Sequence, residues 1–426
     1  MTIRAHPELP EAGAASGENG RLGRNDRLQL SVVSFSHCLQ HLYPGALAIA
    51  YPYVVVTYHI SYGTLGIVLG VAGVFGGLLQ GAAGFTERIS SRALLAAQNL
   101  GLSISTLIGA AVPGFGAFAA ARCAGSVASW PQHPIGNALL VHRFPGRRAF
   151  ALSFHTAGGS LGTAIAPIIT AALIAGYGWR IGLGVFAVPM ALGGLLVTSL
   201  LKETTAPASR VGEQAPPPLR LRDVATRRQV VGALCAGTMA AAGRGLGALS
   251  TYAPAYLKTG LHLSPITVGV LFTVLVVGSI AGPLAAGHVA DRFGRSAVLA
   301  LVYVLGALAM AGFVLVGANV VAIAAVGLVL GIFAYSESPL LQAVFADGVE
   351  GAPARGAFGL FFAVSYGVGA LWLPAIGWII DTAGFRVAFF VMAASFVAAA
   401  AIVLATRPAT APVKRRPSAT GGGPTS

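Results

Sequence analysis

Apolar residues in this 426-residue chain come in long runs separated by short polar breaks. A helix needs about 20 mostly apolar residues to cross a hydrocarbon layer of ~30 Å. Twelve runs meet that need. They span about 29–57, 64–84, 93–112, 114–140, 149–175 and 179–201 in the first half of the chain. In the second half they span about 229–257, 265–287, 296–317, 319–345, 356–380 and 386–406. The pattern predicts an all-α membrane protein, with a six-helix bundle over 29–201 and another over 229–406. Residues 1–28 form a polar tail without the apolar stretch of a cleaved signal peptide, so the first span is expected to act as an uncleaved insertion signal. Residues 202–228 read as a Pro-, Arg- and Ala-rich linker, and 407–426 as a disordered Pro- and Gly-rich tail.

Composition sharpens this. The chain is 55% hydrophobic and 9% charged, with a mean hydropathy of +0.77. Soluble domains carry about 25% charged residues, so this chain cannot cover a water-exposed surface. The net charge of +14 would suit a nucleic-acid binder, but its placement argues otherwise. With both termini on one side, that side holds 22 of the 27 Lys and Arg residues, and the opposite loops hold three, Arg180, Lys258 and Arg386. Short basic loops stay in the cytoplasm. Both termini and the linker are therefore expected to be cytoplasmic, in a multi-pass protein of the inner (cytoplasmic) membrane. Cys38, Cys123 and Cys235 lie in apolar runs without metal-ligand spacing.

The two halves echo each other at an offset of 202 to 207 residues. Gly45-Ala46-Leu47 matches Gly247-Ala248-Leu249, and Pro52 matches Pro254. "SYGTLG" matches "SPITVG", "WPQHP" (130–134) matches "YSESP" (335–339), and Pro167 with Arg180 matches Pro374 with Arg386. Two repeated six-helix halves are a common carrier architecture.

Between the eighth and ninth spans, "GHVADRFGR" (287–295) resembles the signature loop of the major facilitator superfamily. "AGFTERISSR" (83–92) is a degraded copy in the first half, with Glu87 and Arg88 where the later copy has Asp291 and Arg292. The resemblance implies a cytoplasmic gate built from Gly287, Asp291, Arg292, Gly294 and Arg295, with Glu87 and Arg88. Asp291 would cap a neighbouring helix. The two arginines would donate to carboxylates and helix-end carbonyls, and Gly294 would allow a tight turn. A plain basic turn is the alternative. Within the superfamily, "GGSLGTAIAPIIT" and "WPQHP" resemble drug-efflux members of the fosmidomycin-resistance type.

Charges at membrane depth are costly and mark pathways or partners. Arg122, Arg244 and Glu337 fall in spans 4, 7 and 10, which the resemblance places around the central cavity. Arg244 lies about 22 Å along its span, near the midplane. Arg244 and Arg122 are candidate anchors for an anionic substrate, and His41 is a further candidate contact. Arg122 also resembles the arginine of the family's antiporter motif, although Gly125 comes a position early and the usual Gln is missing. Arg244 and Glu337 could instead form a structural bridge. Glu337 is a candidate proton-coupling group, with His133, beside its repeat counterpart Gln132, as the second. His37 and His41 share a helix face four residues apart. They read as cavity lining or proton carriers, because two histidines alone make a poor metal site. Ser153, Gly158, Gly162, Ala166, Pro167 and Thr170 suit close helix packing. "GRGLG" (243–247) follows no strand and is not a phosphate loop.

No nucleophile–base pair, metal cluster or nucleotide loop is legible, so neither enzyme chemistry nor a cofactor is expected. The expected function is secondary active transport of a small organic molecule by a monomer, as proton-coupled efflux, with an anion as the candidate class that Arg244 and Arg122 suggest. Proton-coupled uptake of an organic anion is the first alternative, and a transport-dead sensor the second.

Overall fold

The computed structural model describes residues 22–81, 86, 89–202, 226–349 and 354–407. Every regular element among them is helical. Among the described residues nine helices are long and apolar enough to cross a membrane. The last of these, Ala357–Thr406, is 50 residues long and makes two crossings. It turns at Gly384, whose φ of +83° is one that a glycine adopts without strain. The first and fourth spans complete the twelve. Span 1 is the helix Arg24–Thr57, made more polar by Gln29, His37, Gln40 and His41. Span 4 is broken, as described below. Large side chains such as Leu284, Val321 and Trp378 point outward. In water they would be an aggregation hazard, but they suit contact with lipid tails.

Three spans differ from the sequence expectation, each for a local reason. Span 4 was expected to run unbroken over 114–140. It forms Phe115–Ala128, turns at 129–131, and resumes as a π turn, Gln132–Gly136, before Asn137–Arg143. Pro131 and Pro134 supply no backbone N–H, so the regular hydrogen-bond ladder cannot pass through them. Span 7 was expected to be continuous over 229–257. Its first helix, Arg228–Ala240, ends, and the chain unwinds before Ser250–Ala255, with non-helical backbone at Leu246 and Gly247. Gly243, Gly245 and Gly247 each disfavour helix by about 1 kcal/mol relative to alanine. Span 8 is longer than expected, Pro265–Phe293, so most of "GHVADRFGR" is helical. The turn is confined to Gly294, at φ +93°.

Within each half, helices approach at small residues. A Cβ on Gly162 would lie 2.2 Å from the Cys38 carbonyl oxygen, and one on Gly331 would lie 1.7 Å from that of Leu275. Glycine is therefore required where span 5 crosses span 1 and where span 10 crosses span 8.

The halves meet along span 2 and span 11, where Gly66 sits against the Leu373–Pro374 backbone. Their hydrogen bonds to each other, among the described residues, lie on the face opposite the termini. Asp381 accepts from the backbone N–H groups of Tyr62 (2.9 Å) and Gly63 (2.7 Å) at the start of span 2. Tyr62 and Thr259 share a hydroxyl hydrogen bond of 2.8 Å. The Tyr62 ring packs on Tyr252 and Phe385, and the Lys258 ammonium lies 5.6 Å from the Tyr53 ring centre. The molecule is thus sealed on the face away from its termini.

Candidate functional site

The break in span 7 places Arg244 past the end of its first helix, with only 3% of its surface exposed. Its guanidinium donates through Nε to Glu337, through Nη1 to the Ser365 carbonyl (3.0 Å) and through Nη2 to the Gly237 carbonyl (2.9 Å). The Tyr366 ring lies under it at 4.4 Å. Glu337 is fully buried and accepts a second hydrogen bond from the Tyr303 hydroxyl (3.0 Å). Spans 7, 9, 10 and 11 are joined by this pair. A buried ion pair persists only where its remaining donors and acceptors are also met, and here they are. The pair leaves Arg244 no free face for a solute.

Arg122 differs. It is half-buried and donates through Nε to the Tyr51 hydroxyl (2.9 Å), with the Tyr43 ring 5.5 Å away. Its Nη1 is buried without a hydrogen-bond partner, and no carboxylate pairs with it among the described residues. Such a guanidinium presents a fork that suits a carboxylate or phosphate.

Gln132, the repeat counterpart of Glu337, is also fully buried. Its side-chain oxygen accepts from Ser36 Oγ (2.8 Å) and Gln98 Nε2 (2.6 Å), and its amide donates to the Val33 carbonyl (3.3 Å). Asn99 donates to Ser36 Oγ at 2.7 Å. Spans 1, 3 and 4 are joined here without charge.

Beside this network the π turn delivers His133 to His37 and His41 of span 1, and His155 joins from span 5. His37 stacks on His155 with ring centres 4.2 Å apart, and lies 4.7 Å from His41 and 5.1 Å from His133. Span 5 can carry His155 past His37 because Gly159 has no Cβ, which would lie 2.6 Å from the His37 ring. The sequence pairs His37 with His41 on one helix face, marks His133 apart from them and gives no signal for His155. Only the packing of three spans makes a cluster of them, and no spacing along the chain encodes it.

Of the expected gate residues, Glu87 and Arg88 lie outside the described residues. Asp291 is exposed in the last turn of span 8 and caps no helix among the described residues, because a helix C-terminus offers carbonyls rather than N–H groups. Arg292 packs on Phe293, and Gly287 has open space around it. Arg295 pairs with Asp347 at the end of span 10, inside its own half. Asp381, Tyr62 and Thr259, which seal the opposite face, carried no sequence signal. Backbone N–H groups at the start of span 2 are what Asp381 holds, and nearly 320 residues separate them.

Twelve spans in two halves, a broken seventh span and charged groups at membrane depth define a polytopic helical membrane protein with two repeated bundles. The chain belongs to the Major Facilitator Superfamily, whose sequence profile matches residues 33–264 and 233–426. The Proline/betaine transporter of Escherichia coli (strain K12) is 29% identical over 176 residues, covering 39% of this chain and 35% of the relative. The Glycine betaine/proline/ectoine/pipecolic acid transporter OusA of Dickeya dadantii is 27% identical over 164 residues, covering 36% of this chain and 32% of the relative. The chain thus matches about a third of the length of these relatives. Among solved structures, nucleoside transporter NupG superposes with a TM-score of 0.72 at 15% identity, covering 90% of this chain and 99% of that one. A D-xylose-proton symporter gives 0.71 at 16% identity, covering 90% and 98%. At these identities the two structures speak for the fold alone.

Proposed function

We propose that the protein is a proton-coupled secondary carrier that takes up a small solute bearing a carboxylate, with Arg122 as its anchor. The observation that carries this reading is the Arg122 guanidinium, which has a buried unpartnered nitrogen and no counter-ion among the described residues. Arg244, the other expected anchor, has its donors taken by Glu337 and two carbonyls. Proline and betaine, named for the relatives, both carry a carboxylate. The resemblance of "GGSLGTAIAPIIT" to fosmidomycin-resistance exporters gains no support from these relatives, so uptake is preferred to efflux.

In the metal-free protein His133, half-exposed among other imidazoles, is the better proton carrier of the two expected, because Glu337 is held by Arg244 and Tyr303. His41 faces the same cluster and is a secondary solute contact. By the charge count the termini face the cytoplasm, so the seal at Asp381 faces outward. It works in the inner membrane and acts as a monomer.

The test is uptake of radiolabelled proline and glycine betaine into proteoliposomes, with an imposed proton gradient of either sign. The expected result is uptake driven by protons moving inward, a KM at least tenfold higher in Arg122→Ala, and partial recovery in Arg122→Lys. Transport of carboxylate-free solutes that is indifferent to Arg122→Ala would overturn the anchor. Accumulation driven by the opposite gradient would restore the efflux reading.

A further inference from the structure

The four histidines are more than a polar patch, because the partners of two of them fix where their protons sit. His37 Nδ1 lies 2.8 Å from the His155 carbonyl oxygen. A carbonyl only accepts, so Nδ1 carries the proton and Nε2 keeps its lone pair. That Nε2 is buried with no hydrogen-bond partner. His41 Nδ1 lies 2.8 Å from Thr163 Oγ1, and the Thr163 hydroxyl gives its own proton to the Gly159 carbonyl at 3.0 Å. The threonine oxygen must therefore accept from His41, whose Nε2 lone pair is free as well. Two neighbouring imidazoles are thus anchored through Nδ1–H and present bare Nε2 atoms. Histidines that bind metals are held in this way, by a carbonyl or oxygen acceptor on the nitrogen away from the ion.

His133 completes the set. Ring nitrogens of His37, His41 and His133, one from each, lie within 4.8 Å of one another. Tetrahedral zinc, with bonds of about 2.0–2.1 Å, brings its nitrogens to about 3.3 Å apart. The difference is within reach of rotation of the His133 ring, since histidine χ2 has broad wells, while His37 and His41 stay anchored. His133 sits on a π turn, a local form often found at functional sites.

We propose that His37, His41 and His133 form a binding site for a divalent transition-metal cation of the zinc class, with its fourth position open. Nitrogen ligands select such ions over calcium or magnesium, which prefer oxygen. His41 and His133 are half-exposed, so water or a solute carboxylate can reach the open position. His155 stacks on His37 and supplies the carbonyl that orients it.

The test uses the full chain, purified in detergent with a tag free of histidine. Zinc is titrated by calorimetry, and cobalt is followed by its visible absorption, which intensifies in a tetrahedral site. The expected result is one ion per chain, with at least tenfold weaker binding and no tetrahedral cobalt band in His41→Gln and His133→Gln. Thr163→Val keeps all three ligands but removes the acceptor on His41, so it weakens binding by about 10–100-fold. His142→Gln, at an exposed histidine further along span 4, leaves binding unchanged. Melting curves without metal identify a variant that has failed to fold, in which case Thr163→Val decides. Absence of a tight site in the wild type, or binding that survives the His41, His133 and Thr163 variants, overturns the proposal. Binding is read without transport, so this result stands or falls apart from the carrier reading.

Discussion

Gln132 and Glu337 hold matching places in the two halves, and both are sealed from solvent, yet one is a neutral amide and the other half of an ion pair. The amide meets its partners with two hydroxyl or amide donors and a carbonyl, which stitches spans 1, 3 and 4 together. It leaves Arg122 and the clustered histidines of the first half free of any carboxylate among the described residues. In the second half, Glu337 consumes the other cation found at membrane depth among the described residues, Arg244. Chemistry available to a solute or an ion is therefore concentrated in the first half, while the Arg244–Glu337 pair of the second half is spent on holding spans 7, 9, 10 and 11 together. An internal repeat conserves helix placement and is free to divide roles between its copies.

The largest test of this contrast is Glu337→Ala. It strands the Arg244 charge in a buried place, which costs about 3–5 kcal/mol, read as a drop in the melting temperature of the detergent-solubilised protein. The double variant Arg244→Met with Glu337→Leu should recover most of that loss, because an apolar pair of similar volume is often neutral. If it does not, the pair does more than hold helices. Gln132→Ala should cost less, about 1–3 kcal/mol, because it leaves polar but uncharged groups without partners. Equal losses at the two positions would erase the distinction between them.

Asp381→Ala acts on the seam between the halves. It removes two charge-assisted hydrogen bonds to the start of span 2 and should cost about 1–3 kcal/mol of the sealed state. The readout is faster labelling of Thr259→Cys by a thiol reagent applied from the face away from the termini. Unchanged labelling would show that the Gly66 contact and the aromatic packing suffice. Arg295→Ala is the mildest change. Its pair with Asp347 is 42% and 46% exposed, and an exposed pair contributes under about 1 kcal/mol. A larger shift in melting temperature would make the span 8–9 turn a structural hub of the second half.

Much of this was legible before any coordinates. The twelve spans, the two halves and the three charged residues at membrane depth follow from run length and the internal repeat. Proline and glycine marked the breaks only in hindsight. Pro131 and Pro134 stand inside an apolar run that reads as one helix, and hydropathy sums are blind to a missing N–H. The glycines around Arg244 stand out in the sequence, but their effect on the helix depends on whether neighbouring side chains support an unwound segment. Tyr335 and Phe396, packed against Gly245 and Gly243, are far away in sequence.

What the sequence by itself determined is the class of solution, a helical bundle in lipid. An unpaired backbone in hydrocarbon is so costly that long apolar runs admit little else. What only the tertiary structure decided is who partners whom. Arg244 and Arg122 look alike along the chain, and one is fully paired while the other is not. Four histidines from three spans meet because helices cross, and Asp381 caps a helix from the other half. Hydrogen bonds and ion pairs act over about 3 Å, so which residues form them depends on how the helices pack, and hydropathy and local spacing leave that packing open.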